Sequence, residues 1–332
     1  MARPIRIEFK GAMYHVMCRG DNGRDIFFGD KGCERFLDTL DEACIRAGWY
    51  VHAYVLMGNH YHMLLETPEG NLVDGMKWFQ GTYTQRINAW QGRRGHLFQG
   101  RYKAQVVNGE QRDHNYFQTV SDYIHLNPAR AIMTGKGKRW ERLRDYPWSS
   151  LQSYCSWRRK RPSWLMVDKV LESYTFKDNT AGREAYAKYM DKRGEEVQGG
   201  EPGIGYEELR RGWCLGDGEF RQRMLDKAEK ALQSTKRESL TGAAVKEHGE
   251  AQAVKLLNEG MEKLDLVPKQ LEGMLKLAPE KQVLAAWLSS QTLVGTKWIA
   301  EMLHMGHRSN VSASKKWARE TKEGSKWLCK LK

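Results

Sequence analysis

Trp49-Tyr50-Val51-His52-Ala53-Tyr54-Val55-Leu56-Met57-Gly58-Asn59-His60-Tyr61-His62-Met63-Leu64-Leu65-Glu66 is the stretch whose reading decides the fold. Two strand-like runs, Trp49 to Met57 and His60 to Glu66, flank the short break Gly58-Asn59. So short a break between such runs predicts a hairpin. Side chains alternate along a strand, so His60 and His62 share one face and Tyr61 lies on the other.

Upstream, Met13 to Arg19 predicts another strand, ending in Gly20-Asp21-Asn22-Gly23, a turn of residues that tolerate unusual backbone angles. A helix from about Lys31 to Ala47 carries Phe36, Leu37 and Leu40 on one face. Downstream, Leu72, Met76, Phe79, Tyr83, Ile87 and Trp90 recur at steps of three and four, the pattern of an amphipathic helix from about Asn71 to Trp90. Leu97 to Val107 predicts a fourth strand, and Asp113 caps a third helix that Pro128 ends near Asn127. The order strand, helix, strand, strand, helix, strand, helix is an α+β pattern. It predicts a ferredoxin-like antiparallel sheet with helices on one face.

Two imidazoles on one strand face are half of a divalent-metal site. The spacing alone is a weak signal, since such a pair arises by chance and one of its members is often an ordinary surface residue. In Val120-Ser121-Asp122-Tyr123-Ile124-His125-Leu126-Asn127-Pro128, Tyr123 and Asn127 stand one helical turn apart and project from one face. Phe117, Val120 and Ile124 are left to face the sheet. Singly, Tyr123 reads as a packing tyrosine and Asn127 as a helix-ending residue before proline. Together, a phenol beside a carboxamide and opposite two histidines suits phosphodiester cleavage. Asn127 offers a third, oxygen ligand, and the metal acts as a Lewis acid on the scissile phosphate.

The formal charge of +13, from 54 Lys and Arg against 41 Asp and Glu, favours a polyanionic partner. No apolar run approaches the roughly 20 residues of a membrane span, and the N-terminus lacks the apolar core of a signal peptide. Six scattered cysteines without a CxxC pair give neither a disulfide framework nor a zinc site. A cytoplasmic, nucleoid-associated protein without a membrane partner is expected. Most of the 12 tryptophans and 14 tyrosines are expected in the core, with some left to stack on unpaired bases.

From about Gly135 to Arg161 the chain is strongly basic, with Lys136, Lys138, Arg139, Arg142, Arg144 and Arg158-Arg159-Lys160-Arg161, and tryptophans at 140, 148, 157 and 164 interleaved. Glu195 to Gly205 reads as a linker. Residues 206 to 275 read as helical and highly charged, with no assignable chemistry. In the last sixty residues Val283, Leu284, Ala286 and Trp287 mark one helix and Trp298, Ile299, Met302 and Leu303 a second. Met305-Gly306-His307-Arg308 leads to a third, from near Ser309-Asn310, bearing Ser312, Ser314, Lys315, Lys316 and Arg319. This is a helix-turn-helix candidate, with a plain helical hairpin as the alternative. Asn310, Ser312, Lys315 and Lys316 would meet duplex DNA.

Val55 to Leu65 resembles the histidine–apolar–histidine motif of HUH single-strand nucleases, and Asp122 to Pro128 resembles the catalytic helix of REP-associated tyrosine transposases. Tyr14-His15-Val16 with Arg19-Gly20, Gly100-Arg101-Tyr102-Lys103 and Asp145-Tyr146-Pro147-Trp148-Ser149-Ser150 match in the same order, so the resemblance spans about residues 8–155. It implies that Tyr123 attacks a DNA phosphate, forms a 5′-phosphotyrosine link and frees a 3′-hydroxyl. A later attack on the link reseals the strand without a nucleotide cofactor. It also implies Mg²⁺ or Mn²⁺ on His60, His62 and Asn127, and a single-stranded palindromic hairpin as substrate. Tyr61 departs from the bulky apolar residue usual between the histidines and is read as filling an apolar slot. Tyr116, seven residues before Tyr123, is the more credible spare tyrosine.

Arg19, Arg93, Arg94, Arg101 and Lys103 would hold phosphates without reading sequence. Trp148 and Tyr102 would stack on bases or belong to the core. The division expected is a nuclease domain over residues 1–160, a charged helical extension over 161–275, and the helix-turn-helix segment over 276–332, in a monomer or homodimer. A regulator that binds DNA through a vestigial nuclease domain is the competing reading. An RNA-binding module would need exposed aromatics where the histidines are placed.

Overall fold

The computed structural model describes the chain except residues 1–2, 5–6, 111–115, 134–141, 157–160, 201–208, 210–211, 234–239, 242, 293 and 332. Asp113, Lys136, Lys138, Arg139, Trp140, Trp157, the Arg158-Arg159-Lys160 run and residues 201–205 of the expected linker lie outside the described residues. The chain forms two compact units, Arg6–Met224 and Met1–Ile5 with Leu225–Lys332.

The first unit is built on strands β1 (Ala12–Arg19), β2 (Tyr50–Met57), β3 (His60–Thr67), β4 (Lys103–Val107) and β5 (Cys214–Leu215). They lie in the order β2-β3-β1-β4-β5. The expected hairpin is β2–β3, antiparallel, with Val55 of β2 and Met17 of β1 opposite His62. Helix α1 (Asp30–Ala47) joins β1 to β2, and α2 (Leu72–Gln91) follows β3. The α+β class is as expected.

The arrangement differs from expectation in two respects. The sheet is mixed, because β5 pairs in parallel with β4. Helices also cover both faces. Tyr61 is fully buried, with its ring 4.9 Å from Phe36 of α1 and 6.5 Å from Phe79 of α2. On the opposite, histidine face lies α3 (Tyr116–His125), burying Phe117, Val120 and Ile124. The cause is visible in the hairpin itself: Val51 to Met57 is buried at every position. A strand apolar on both sides must be covered on both sides.

Two boundaries also move. The regular fourth strand begins only at Lys103, because Gly100 at φ 152° interrupts the run and leaves Phe98 in a single bridge to Gly20. Pro128 does not simply close a helix. After α3 ends at His125, α4 (Asn127–Met133) begins with Pro128 in its first turn, where a missing N–H costs nothing.

Residues beyond 160 continue this unit through α5 (Leu151–Cys155), α6 (Asp168–Ser173) and α7 (Thr180–Gln198). Leu165 bridges to Val51, and Val167, Val170, Leu171 and Tyr186 are fully buried. Glu195 to Gln198, expected in a linker, are the last turn of α7. Part of the basic stretch is spent inside the fold, where Arg144 pairs with Asp191 at 2.7 Å and Arg161 with Asp178 at 3.0 Å. Helix α8 (Gly218–Gln233) follows β5.

The second unit contains α9 (Ala243–Lys263), α10 (Pro268–Gly273), α11 (Pro279–Gln291), α12 (Thr296–Met302), α13 (Arg308–Glu320) and α14 (Lys322–Cys329). Val283, Leu284, Leu288, Ile299, Leu303 and Val311 form its core. Buried Lys281 donates to the carbonyls of Met274 and His304 and ties the loops flanking α10 and α12. No helix of the described residues is long and apolar enough to cross a membrane.

Candidate metal and nucleophile site

His60 opens β3 and His62 follows two residues later on the same face, their rings 5.3 Å apart and nearly perpendicular. Helix α3 brings Tyr123 against them, its ring 5.3 Å from His62 and edge-on. The turn from α3 into α4 then folds Asn127 back, its Nδ2 donating to the Tyr123 carbonyl at 2.9 Å. That carbonyl can only accept, so the carboxamide oxygen is the end of Asn127 left to face other groups. The Asn127 side chain also lies close enough to favour the charged form of His60. The four residues singled out by sequence therefore meet in one place.

Both imidazoles are neutral at ordinary pH. Burial, followed by the nearby Arg19, lowers His60 to about 4. Burial lowers His62 well below its usual value, helped by His15, His60 and Arg130. Neutral rings are what metal ligation requires. The orientation of His60 is set by Asn59, whose Nδ2 donates to the Gly23 carbonyl at 2.9 Å and whose Oδ1 lies 2.8 Å from His60 Nδ1. The hydrogen of His60 thus sits on Nδ1, leaving a lone pair on Nε2. Among the described residues no three His, Cys, Asp or Glu side chains form a metal-holding group. The donor set that fits is two imidazoles and a carboxamide oxygen.

Three further residues join the site: His15, quoted above only within a matching segment, and Gln105 and Arg130, which no motif marked. His15 on β1 places Nε2 at 2.9 Å from His62 Nδ1 and its ring 5.5 Å from Tyr123. Gln105 on β4 sits 3.1 Å from His15 Nδ1. Arg130 on α4 donates to the Tyr123 carbonyl at 2.8 Å and holds its guanidinium 4.7 Å over the Tyr123 ring. No local signal marks their roles: His15 and Gln105 meet His62 through pairing between strands, and Arg130 lies beyond the break between α3 and α4.

The catalytic-helix candidate is anchored from outside. Tyr174 and Tyr189 donate to the two oxygens of Asp122, the second at 2.8 Å. His125 bonds Tyr186 and Ser150, each at 2.8 Å, and burial lowers its pKa to about 3. Tyr61 bonds Gln80 within the core, and burial pushes its phenol up. Tyr116 is half-buried at the start of α3.

The basic residues are less gathered. Arg19 ends β1 opposite His60, and its carbonyl accepts from Gln99, so Arg19 and the segment leading to Arg101 lie at the histidine end of the sheet. Lys103 is exposed on β4 and Arg94 is exposed after α2. Arg93 stacks 5.0 Å over Phe28, and Trp148, half-buried, donates to Asp30. Tyr102 is buried. In the second unit Ser312 and Lys316 are exposed on α13 and Lys315 is half-buried. Asn310 donates to the Met305 carbonyl at 2.7 Å.

Residues 8–127 match the family described as IS200-like transposase. Among solved structures the chain is similar to a REP-associated tyrosine transposase bound to a REP hairpin, at 15% identity and a TM-score of 0.39. That likeness covers 50% of this chain and 92% of the other. No curated protein matches the chain.

Proposed function

We propose, from the match of residues 8–127 to the IS200-like transposase family, that this chain cuts and rejoins single-stranded DNA through Tyr123. The observation that carries the reading is the meeting of the Tyr123 ring with His62 at 5.3 Å, with Asn127 folded back on the Tyr123 carbonyl. His60, His62 and Asn127 would hold Mg²⁺ or Mn²⁺. When bound, the ion supplies Lewis-acid polarisation of the scissile phosphate.

Tyr123 Oη attacks phosphorus, the bond to O3′ breaks, and the phenol proton ends on the released 3′-hydroxyl. The products are a 5′-phosphotyrosine and a free 3′ end, and the reverse attack reseals the strand. A phenol is almost wholly protonated at neutral pH. The Arg130 guanidinium lies 4.7 Å over the centre of its ring, a cation–π contact that holds the ring in place. The substrate proposed is a palindromic hairpin, on which Arg19, Arg93, Arg94, Arg101 and Lys103 would grip phosphates and Trp148 would stack.

Incubating the full chain with labelled hairpin DNA and Mn²⁺ is expected to give a protein-linked product that chelator abolishes. His60→Ala is expected to weaken Mn²⁺ binding by more than about 100-fold, beyond the loss typical of outer-shell partners. No adduct on any hairpin from the flanking DNA, with Mn²⁺ bound, would overturn the reading in favour of a DNA-binding regulator.

For the second unit we propose a helix-turn-helix in which α13 meets duplex DNA. Its support is the exposure of Ser312 and Lys316 on the face opposite buried Val311, Ser314 and Ala318. Lys315→Ala with Lys316→Ala is expected to weaken duplex binding evenly across sequences and to lower the salt slope by roughly 1 per lysine. An unchanged salt slope would remove this role.

A further inference from the structure

We propose that Gln105 and His15 are positioning residues that fix the hydrogen of His62 on Nδ1, so that its Nε2 lone pair is presented to a metal; the proposal rests on the metal reading above. The Gly212 carbonyl can only accept. Gln105 Nε2 lies 2.7 Å from it and therefore donates. That orients the Gln105 carboxamide, leaving Oε1 towards His15 Nδ1 at 3.1 Å. An amide oxygen only accepts, so His15 Nδ1 carries the hydrogen.

A neutral imidazole has one N–H. His15 Nε2 is then an acceptor, and His62 Nδ1, 2.9 Å away, must donate to it. By the same count His62 keeps its lone pair on Nε2, which makes no hydrogen bond among the described residues. Both rings are buried, so water does not compete for either nitrogen. His60 receives its orientation through one side chain, Asn59, and His62 through two. Each line ends on a backbone carbonyl.

The anchor lies outside the segment that matches the family. Gly212 precedes β5, which docks on β4 through Val106 N–H to the Trp213 carbonyl at 3.0 Å and Asn108 N–H to the Leu215 carbonyl at 2.7 Å. Docking of β5 therefore sets the protonation pattern of a residue three strands away.

The test uses the full chain, metal-free and labelled with ¹⁵N-histidine, with long-range ¹H–¹⁵N spectra reading which ring nitrogen of His62 carries hydrogen. Nδ1 is expected. Gln105→Met keeps the side-chain length and removes both polar contacts. It is expected to disturb that pattern and to raise the Mn²⁺ dissociation constant roughly 10–100-fold by calorimetry. Gln105→Glu keeps an acceptor facing His15 but replaces the donor to the Gly212 carbonyl with a second acceptor, so it is expected to restore only part of the affinity. A wild-type His62 protonated on Nε2 overturns the proposal, as does a folded Gln105→Met chain that binds Mn²⁺ as tightly as wild type. If the wild-type chain binds no Mn²⁺, the metal reading fails, while the His62 spectrum still decides the relay.

Discussion

Tyr123→Phe is expected to abolish the covalent protein–DNA product while leaving Mn²⁺ and hairpin binding at wild-type levels. The substitution removes one oxygen and keeps the ring. The ring still packs edge-on against His62 and His15, and Arg130 still lies over it. Removing a nucleophile of this kind costs roughly 10⁴-fold or more in rate. Electrophoresis under denaturing conditions separates the adduct from free DNA. A Tyr123→Phe chain that still forms the adduct would move the nucleophile elsewhere, with Tyr116 the next candidate. Loss of metal binding as well would mean that the phenol is structural.

Removing both phenols that hold Asp122, by Tyr174→Phe and Tyr189→Phe, is expected to cost the most stability of any change to the hydroxyls of this unit. The carboxyl is half-buried, and burial raises its pKa from the ordinary 3.8 despite the two phenols and the nearby Arg193 and Arg130. Stripping the donors leaves a poorly solvated anion, for a loss of roughly 2–4 kcal/mol. For a unit of this size that lowers the melting temperature by on the order of 10 °C. A raised folded pKa means that the stability Asp122 contributes is present below 3.8 and lost as pH rises through the folded value. The double variant raises that value further, so its deficit grows from acid towards neutral pH. A pH-independent deficit would show that the tyrosines act through packing alone.

How much could be read beforehand depends on where the information is stored. The hairpin, α1, α2 and the face shared by His60 and His62 follow from local period and a two-residue break, and they are observed. Tyr123 and Asn127 were legible because one helical turn separates them. His15 and Gln105 were not, because their roles arise from pairing between strands far apart in sequence, and register across a sheet leaves no local trace. The second covered face was underwritten by the apolar run Ala53 to Met57 in β2, a signal that alternation-based reading passes over. Tyr174, Tyr186 and Tyr189 sit in a segment whose sequence shows no chemistry, since a phenol that steadies another residue looks like any packing aromatic.

The chain of hydrogen bonds behind His62 ends on a peptide group, and this has a consequence for how the site varies. Every amino acid placed at position 212 would keep that carbonyl, so no single replacement there deletes the last contact. A residue inserted or removed between Gly212 and Cys214 is different, because it shifts the carbonyl along the edge of β4 and withdraws it from Gln105. The segment before β5 should therefore accept many spellings but only one length.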